Sequence, residues 1–158
     1  MKLFVPLAAV VVLAACSPAQ PPSYSVAGAA VDQPFSRPAA AGGNGAGFFT
    51  VTNRNTGPDR LMAVESPIAG KVEIHETSTD GGIMRMERLD RGVDLKPGES
   101  VTFKPGGKHV MFIGLHQALK AGDRIPATLV FEKAGRAPVE FVVQGKAAAG
   151  GGMDHNGH

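Results

Sequence analysis

Two histidines and several methionines of this chain fall in short strand-like segments between Lys71 and Met111. They are Lys71-Val72-Glu73-Ile74-His75, then Met84-Arg85-Met86 after a Gly-Gly pair, then His109-Val110-Met111. Imidazole nitrogen with thioether sulfur is a ligand set for copper, most naturally Cu(I), because soft thioethers favour a soft ion. The only cysteine, Cys16, lies far from these residues in sequence.

Spacing turns the cluster into a geometric expectation. A two-residue type I′ turn at Asp80-Gly81 would pair Thr79 with Gly82 and set His75 directly opposite Met86. Directly opposed residues on one face of a hairpin have Cβ atoms about 4.5–5.5 Å apart, within reach of one ion. Alternation sends Glu73 and His75 to one face and Val72 and Ile74 to the other. By the same rule Met84 and Met86 share a face, and so do His109 and Met111, with Val110 and Phe112 turned away. His75, Met86, His109 and Met111 are therefore the candidate ligands. Met62 and Met84 read as core filler, the usual role of a lone strand methionine, and His116 as a surface or hydrogen-bonded residue. The residues alone leave open a purely structural reading of all these side chains.

The elements that must position them are short β-branched and aromatic segments. They include Phe48–Thr52, Val72–Thr77, Val101–Phe103, Val110–Leu115, Ala127–Phe131 and Val139–Val143. Turn signals such as Asp80-Gly81-Gly82, Lys96-Pro97-Gly98 and Lys104-Pro105-Gly106-Gly107 separate them. Many short strands punctuated in this way predict an all-β antiparallel sandwich or barrel, here over residues 24–144. No segment sustains a helical apolar period. Pro38–Gly47, rich in glycine, is expected to be a loop.

The chain begins with one basic residue and an apolar run, Lys2 to Leu13. The run is shorter than the roughly 20 residues a membrane span needs and reads as the signal peptide of residues 1–15. Leu13-Ala14-Ala15-Cys16 resembles a bacterial lipobox, which would make Cys16 a lipidated mature N-terminus and anchor the protein to a membrane of the cell envelope. Residues 16–23 form a Pro-rich tether. Without Cys16 the mature chain has no free thiol, which suits an oxidising compartment. Loss of Lys2 lowers the net charge from +2 to +1, so no nucleic-acid partner is indicated. Residues 145–158 are a flexible Gly/Ala linker followed by Met153, His155 and His158, a candidate Cu(II)-binding tail.

The runs Val72-Glu73-Ile74-His75-Glu76, Gly81-Gly82-Ile83-Met84-Arg85-Met86 and Lys104 to Met111 resemble the periplasmic copper chaperone family PCuAC. Leu119 to Asp123 and Ala127 to Phe131 resemble its next segment. The family pattern is His, ten residues, Met, about twenty-one residues, then His-x-Met. Here the gaps are ten and twenty-two, the surplus residue falling in a turn-rich connection. The resemblance implies a cupredoxin-like Greek-key β-sandwich with flexible N- and C-terminal tails, and Cu(I) on His75, Met86, His109 and Met111. It further implies delivery of copper for cytochrome c oxidase assembly, to the oxidase's copper-site subunit or to its thiol-bearing assembly factor. A monomer facing the periplasm is expected.

A blue-copper electron carrier would need a cysteine thiolate ligand, which the mature chain lacks. A copper enzyme would call for more histidines, an open position and a general base, so no enzymatic role is expected. The rival reading is a lipid-anchored β-sandwich used for interactions, with no metal role.

Overall fold

A computed structural model of the chain describes residues 22–145. The signal-peptide, lipobox and tail assignments, with Cys16, Met153, His155 and His158, lie outside the described residues. Those residues hold eleven strands and no helix: β1 Ser23–Val26, β2 Ala29–Ser36, β3 Asn44–Asn53, β4 Asp59–Glu65, β5 Ala69–Asp80, β6 Ile83–Arg88, β7 Val93–Leu95, β8 Ser100–Phe103, β9 Lys108–Leu115, β10 Arg124–Phe131 and β11 Arg136–Val143. Ser23, assigned to the tether by composition, opens β1 opposite Asp32.

Hydrogen bonding runs in the order β6-β5-β9-β3-β2-β11-β10-β4-β7, with β1 added to β2 and β8 to β3. The all-β expectation holds. Every pairing is antiparallel except β11 with β2, where Val142 and Val143 lie beside Phe35 and Ser36. β3 organises the fold. Its first half pairs with β9 and its second half with β8, while β2 runs along its other side.

The core forms where inward-facing aromatics from several strands meet. Phe49 stacks on Phe103 at 4.3 Å between centroids, and Phe141 meets Phe49 and Phe112 edge-on at 5.8 and 5.7 Å. Edge-on and offset contacts suit the ring quadrupoles. Ile74, Val110 and Phe112 are buried among them, so the apolar alternates of β5 and β9 face inward and their polar alternates do not share that packing.

Part of the segment expected to be a loop is strand. Asn44–Gly47 begins β3, and its glycines are there because of close packing. A Cβ on Gly47 would fall 2.8 Å from Cε1 of Phe141 and 3.0 Å from Cε2 of Phe112. Glycine inside a strand often marks a site where another group approaches the backbone closely. Met62 and Met84 are not core filler either, being 44% and 72% exposed.

Candidate metal centre

Three neighbouring strands carry the candidate ligands, with β5 in the middle. On one side β9 pairs with β5, setting His75 directly opposite His109 and Glu73 opposite Met111. On the other side β6 pairs with β5, setting His75 opposite Arg88, Thr77 opposite Met86 and Thr79 opposite Met84.

The expected pairing of His75 with Met86 is therefore corrected. The turn lies at Gly81-Gly82, with Asp80 opposite Ile83, and both glycines have positive φ, +57° and +80°. A type I′ turn needs positive φ at both central residues. Two glycines meet that need without the steric cost an aspartate would bear. Met86 consequently sits diagonal to His75, and diagonal neighbours, about 7–8 Å apart and somewhat closer between Cβ atoms, are still within reach of long side chains. The displacement along β6 is two residues, an even number, so Met86 stays on the face that carries His75.

His75 is thus a hub. His109 is directly opposite, Met111 is diagonal on the β9 side and Met86 is diagonal on the β6 side. The two imidazole rings lie 5.8 Å apart, tilted by 39°. Burial grades across the group. His109 is 6% exposed and Met111 half-buried, whereas Met86 is 55% exposed on the outermost strand. The structure brings all four candidates to one patch of one sheet face; His116 is exposed and on no part of it.

Hydrogen bonds set the imidazoles. His109 Nδ1 is 3.0 Å from the Gly107 carbonyl. A carbonyl only accepts, so Nδ1–H donates and Nε2 keeps the lone pair. The same carbonyl accepts the Thr77 amide at 3.1 Å, tying the β5–β6 hairpin to the turn before β9. His75 Nε2 is 2.7 Å from a carboxylate oxygen of Glu73. His75 Nδ1 is buried and has no hydrogen-bond partner among the described residues. A buried polar atom without a partner is costly and calls for an explanation, and a lone-pair nitrogen held ready for an ion is one.

Sequence reasoning placed Glu73 on the His75 face but gave it no task. Its side chain is 11% exposed and takes contacts from Lys71, from His75 and from Arg88 Nη1 at 2.9 Å. Hydrogen bonds from Lys71, then His75, then Arg88 hold its carboxyl at about 2, well below the ordinary 4.5. The signal for Glu73 was its i, i+2 relation to His75. Nothing local pointed to Arg88, which comes from the other arm of the hairpin.

Residues 29–143 match the model of the family described as "Putative lipoprotein LpqE-like". A relative from Leifsonia xyli subsp. xyli, "Putative lipoprotein Lxx21020", is 32% identical over 80% of this chain and 75% of its own length. "Uncharacterized protein RP573" of Rickettsia prowazekii is 32% identical over 63% of this chain and 58% of its own length. Among solved structures, "Copper-bound PCuAC domain from PmoF2" superimposes with a TM-score of 0.67 at 29% identity, covering 78% of this chain and 98% of that domain. "Apo PCuAC domain from PmoF1" gives a TM-score of 0.66 at 28% identity, covering 78% and 99%. The cupredoxin-like architecture is shared with these domains. The chain belongs to the LpqE-like family, and its folded part is a domain of the PCuAC type.

Proposed function

We propose that this protein is a copper chaperone of the cell envelope that carries Cu(I) on His75 Nδ1, His109 Nε2 and the thioethers of Met86 and Met111. The observation that carries the reading is the buried, unpartnered Nδ1 of His75 at the centre of that patch. The likeness to a domain solved with copper bound supports it.

The chemistry fits transport. Neutral thioethers bind Cu(I) without losing a proton and discriminate against harder ions. Thiolates would be open to oxidation in an oxidising compartment. The graded burial gives a fixed pair of imidazoles and an accessible thioether on an edge strand, from which an acceptor could draw the ion. Delivery for cytochrome c oxidase assembly, to its copper-site subunit or a thiol-bearing assembly factor, is the acceptor chemistry consistent with a site that lacks thiolate. Attachment through Cys16 would hold the domain at the membrane surface. Met153, His155 and His158, joined to the domain through a Gly/Ala-rich stretch, would act on the folded site at an effective concentration on the order of mM and supply Cu(II) capture.

Competition titration of soluble residues 17–158 against a Cu(I) chelator tests the reading. Tight one-to-one Cu(I) binding supports it. Absence of binding leaves the interaction protein without a metal role. Repeating the titration with Cu(II) on a chain ending at residue 144 tests the tail, and unchanged Cu(II) affinity removes that part.

A further inference from the structure

Glu73 is built into the site without being a member of the donor set. It lies directly opposite Met111 on one side of β5 and two residues from His75 along it. One carboxylate oxygen, Oε2, takes His75 Nε2 at 2.7 Å. The other takes Arg88 Nη1 at 2.9 Å and the Lys71 ammonium. Arg88 stands two residues from Met86 on β6, on the same face, directly across from His75. A single carboxylate therefore touches a ligand from β5 and the strand that carries a ligand from β6.

The ion pairs make Glu73 an ionised acceptor, so the shared proton of its bond to His75 rests on Nε2. In the neutral imidazole this leaves the lone pair on Nδ1, the atom that is buried and unpartnered. His109 has the reverse arrangement, with Nδ1–H on a backbone carbonyl. The two histidines thus offer different nitrogens, His75 Nδ1 and His109 Nε2, and a different acceptor dictates each choice. Metal-binding imidazoles commonly depend on such a partner for tautomer and ring orientation.

Resting on the copper reading above, we propose that Glu73 is the positioning residue of the centre. It selects Nδ1 of His75 as the metal-binding atom and, through Arg88, fixes β6 and Met86 beside it.

The test begins in metal-free protein. Long-range proton–nitrogen NMR on histidine-labelled soluble chain should show His75 with its proton on Nε2 and His109 with its proton on Nδ1. In Glu73→Ala the His75 signature should shift to the Nδ1–H form or to a mixture, while His109 keeps its own. Cu(I) affinity should fall about 10–100-fold. Glu73→Gln, which keeps an acceptor oxygen, should restore the tautomer and most of the affinity. Arg88→Gln should leave the His75 tautomer as in wild type and weaken Cu(I) binding less than Glu73→Ala does. Wild-type His75 with its proton on Nδ1, or a Glu73→Ala affinity equal to wild type, overturns the proposal. A wild-type chain that binds no Cu(I) overturns the copper reading itself, while the tautomer result still decides whether Glu73 orients His75.

Discussion

His75 and His109 stand directly opposite each other across the β5–β9 ladder, their ring centroids 5.8 Å apart. The pair is held from behind by the core, since Ile74 and Val110, also directly opposed, are buried on the inward face. Side chains on rigid, neighbouring strands are placed more reproducibly than side chains on loops. The imidazole pair is therefore the fixed half of the site, and the edge strand β6 brings the adjustable half.

Met86→Leu and Met111→Leu should each lower Cu(I) affinity by at least about tenfold, or about 1.4 kcal/mol, while the fold survives. Leucine nearly conserves the volume of methionine, so stability should change by less than about 1.5 kcal/mol. Chelator competition reads the first effect and thermal melting the second. Exposed Met86 should show the smaller change in melting.

The Gly81-Gly82 turn sets the register that brings Met86 toward His75. Gly82→Val places a β-branched residue at φ +80°, where the left-handed region costs an L-residue about 1–2 kcal/mol. Among the described residues β6 pairs only with β5, and all of its residues are exposed. The substitution should therefore open the hairpin locally. Hydrogen exchange of β6 amides should rise, global unfolding should change little, and Cu(I) affinity should fall.

Glu73 links stability to pH. Its carboxyl is held at about 2 in the folded chain against an ordinary 4.5, so the unfolded chain binds the proton more readily between those values. The stabilisation is fully present above about pH 4.5 and is lost as pH falls toward about 2. Denaturation of wild type and Glu73→Gln across that range should show a stability gap that narrows on acidification. A gap that stays constant would contradict the ion-pair arrangement.

Gly47→Ala should destabilise the domain by about 1–3 kcal/mol, the range for overpacking a well-filled core. The new Cβ would meet the Phe141 and Phe112 rings at 2.8 and 3.0 Å. A lower urea midpoint with an unchanged slope would be the signature.

Errors of sequence reading fell where local pattern and tertiary packing disagree. Gly45 and Gly47 look like loop residues, yet each faces the large side chains packed around β3. Met62 and Met84 look like apolar filler, yet both stand on outward faces. The hairpin turn moved by one residue because Gly-Gly satisfies two positive φ values where Asp-Gly satisfies one without strain. None of these errors moved a candidate ligand off its face, because strand alternation has a period of two and the register change was even.

From the residues alone came the candidate donor types, their sharing of faces within each strand and the all-β class, because composition and alternation are local properties of the chain. Tertiary structure decided which strands are neighbours. Only the folded sheet puts β9 beside β5, and with it His109 opposite His75, because strand order depends on how the whole chain buries its core. The same long-range pairing brings Arg88 across to Glu73, leaving the Nδ1 atom of His75 buried and unpartnered.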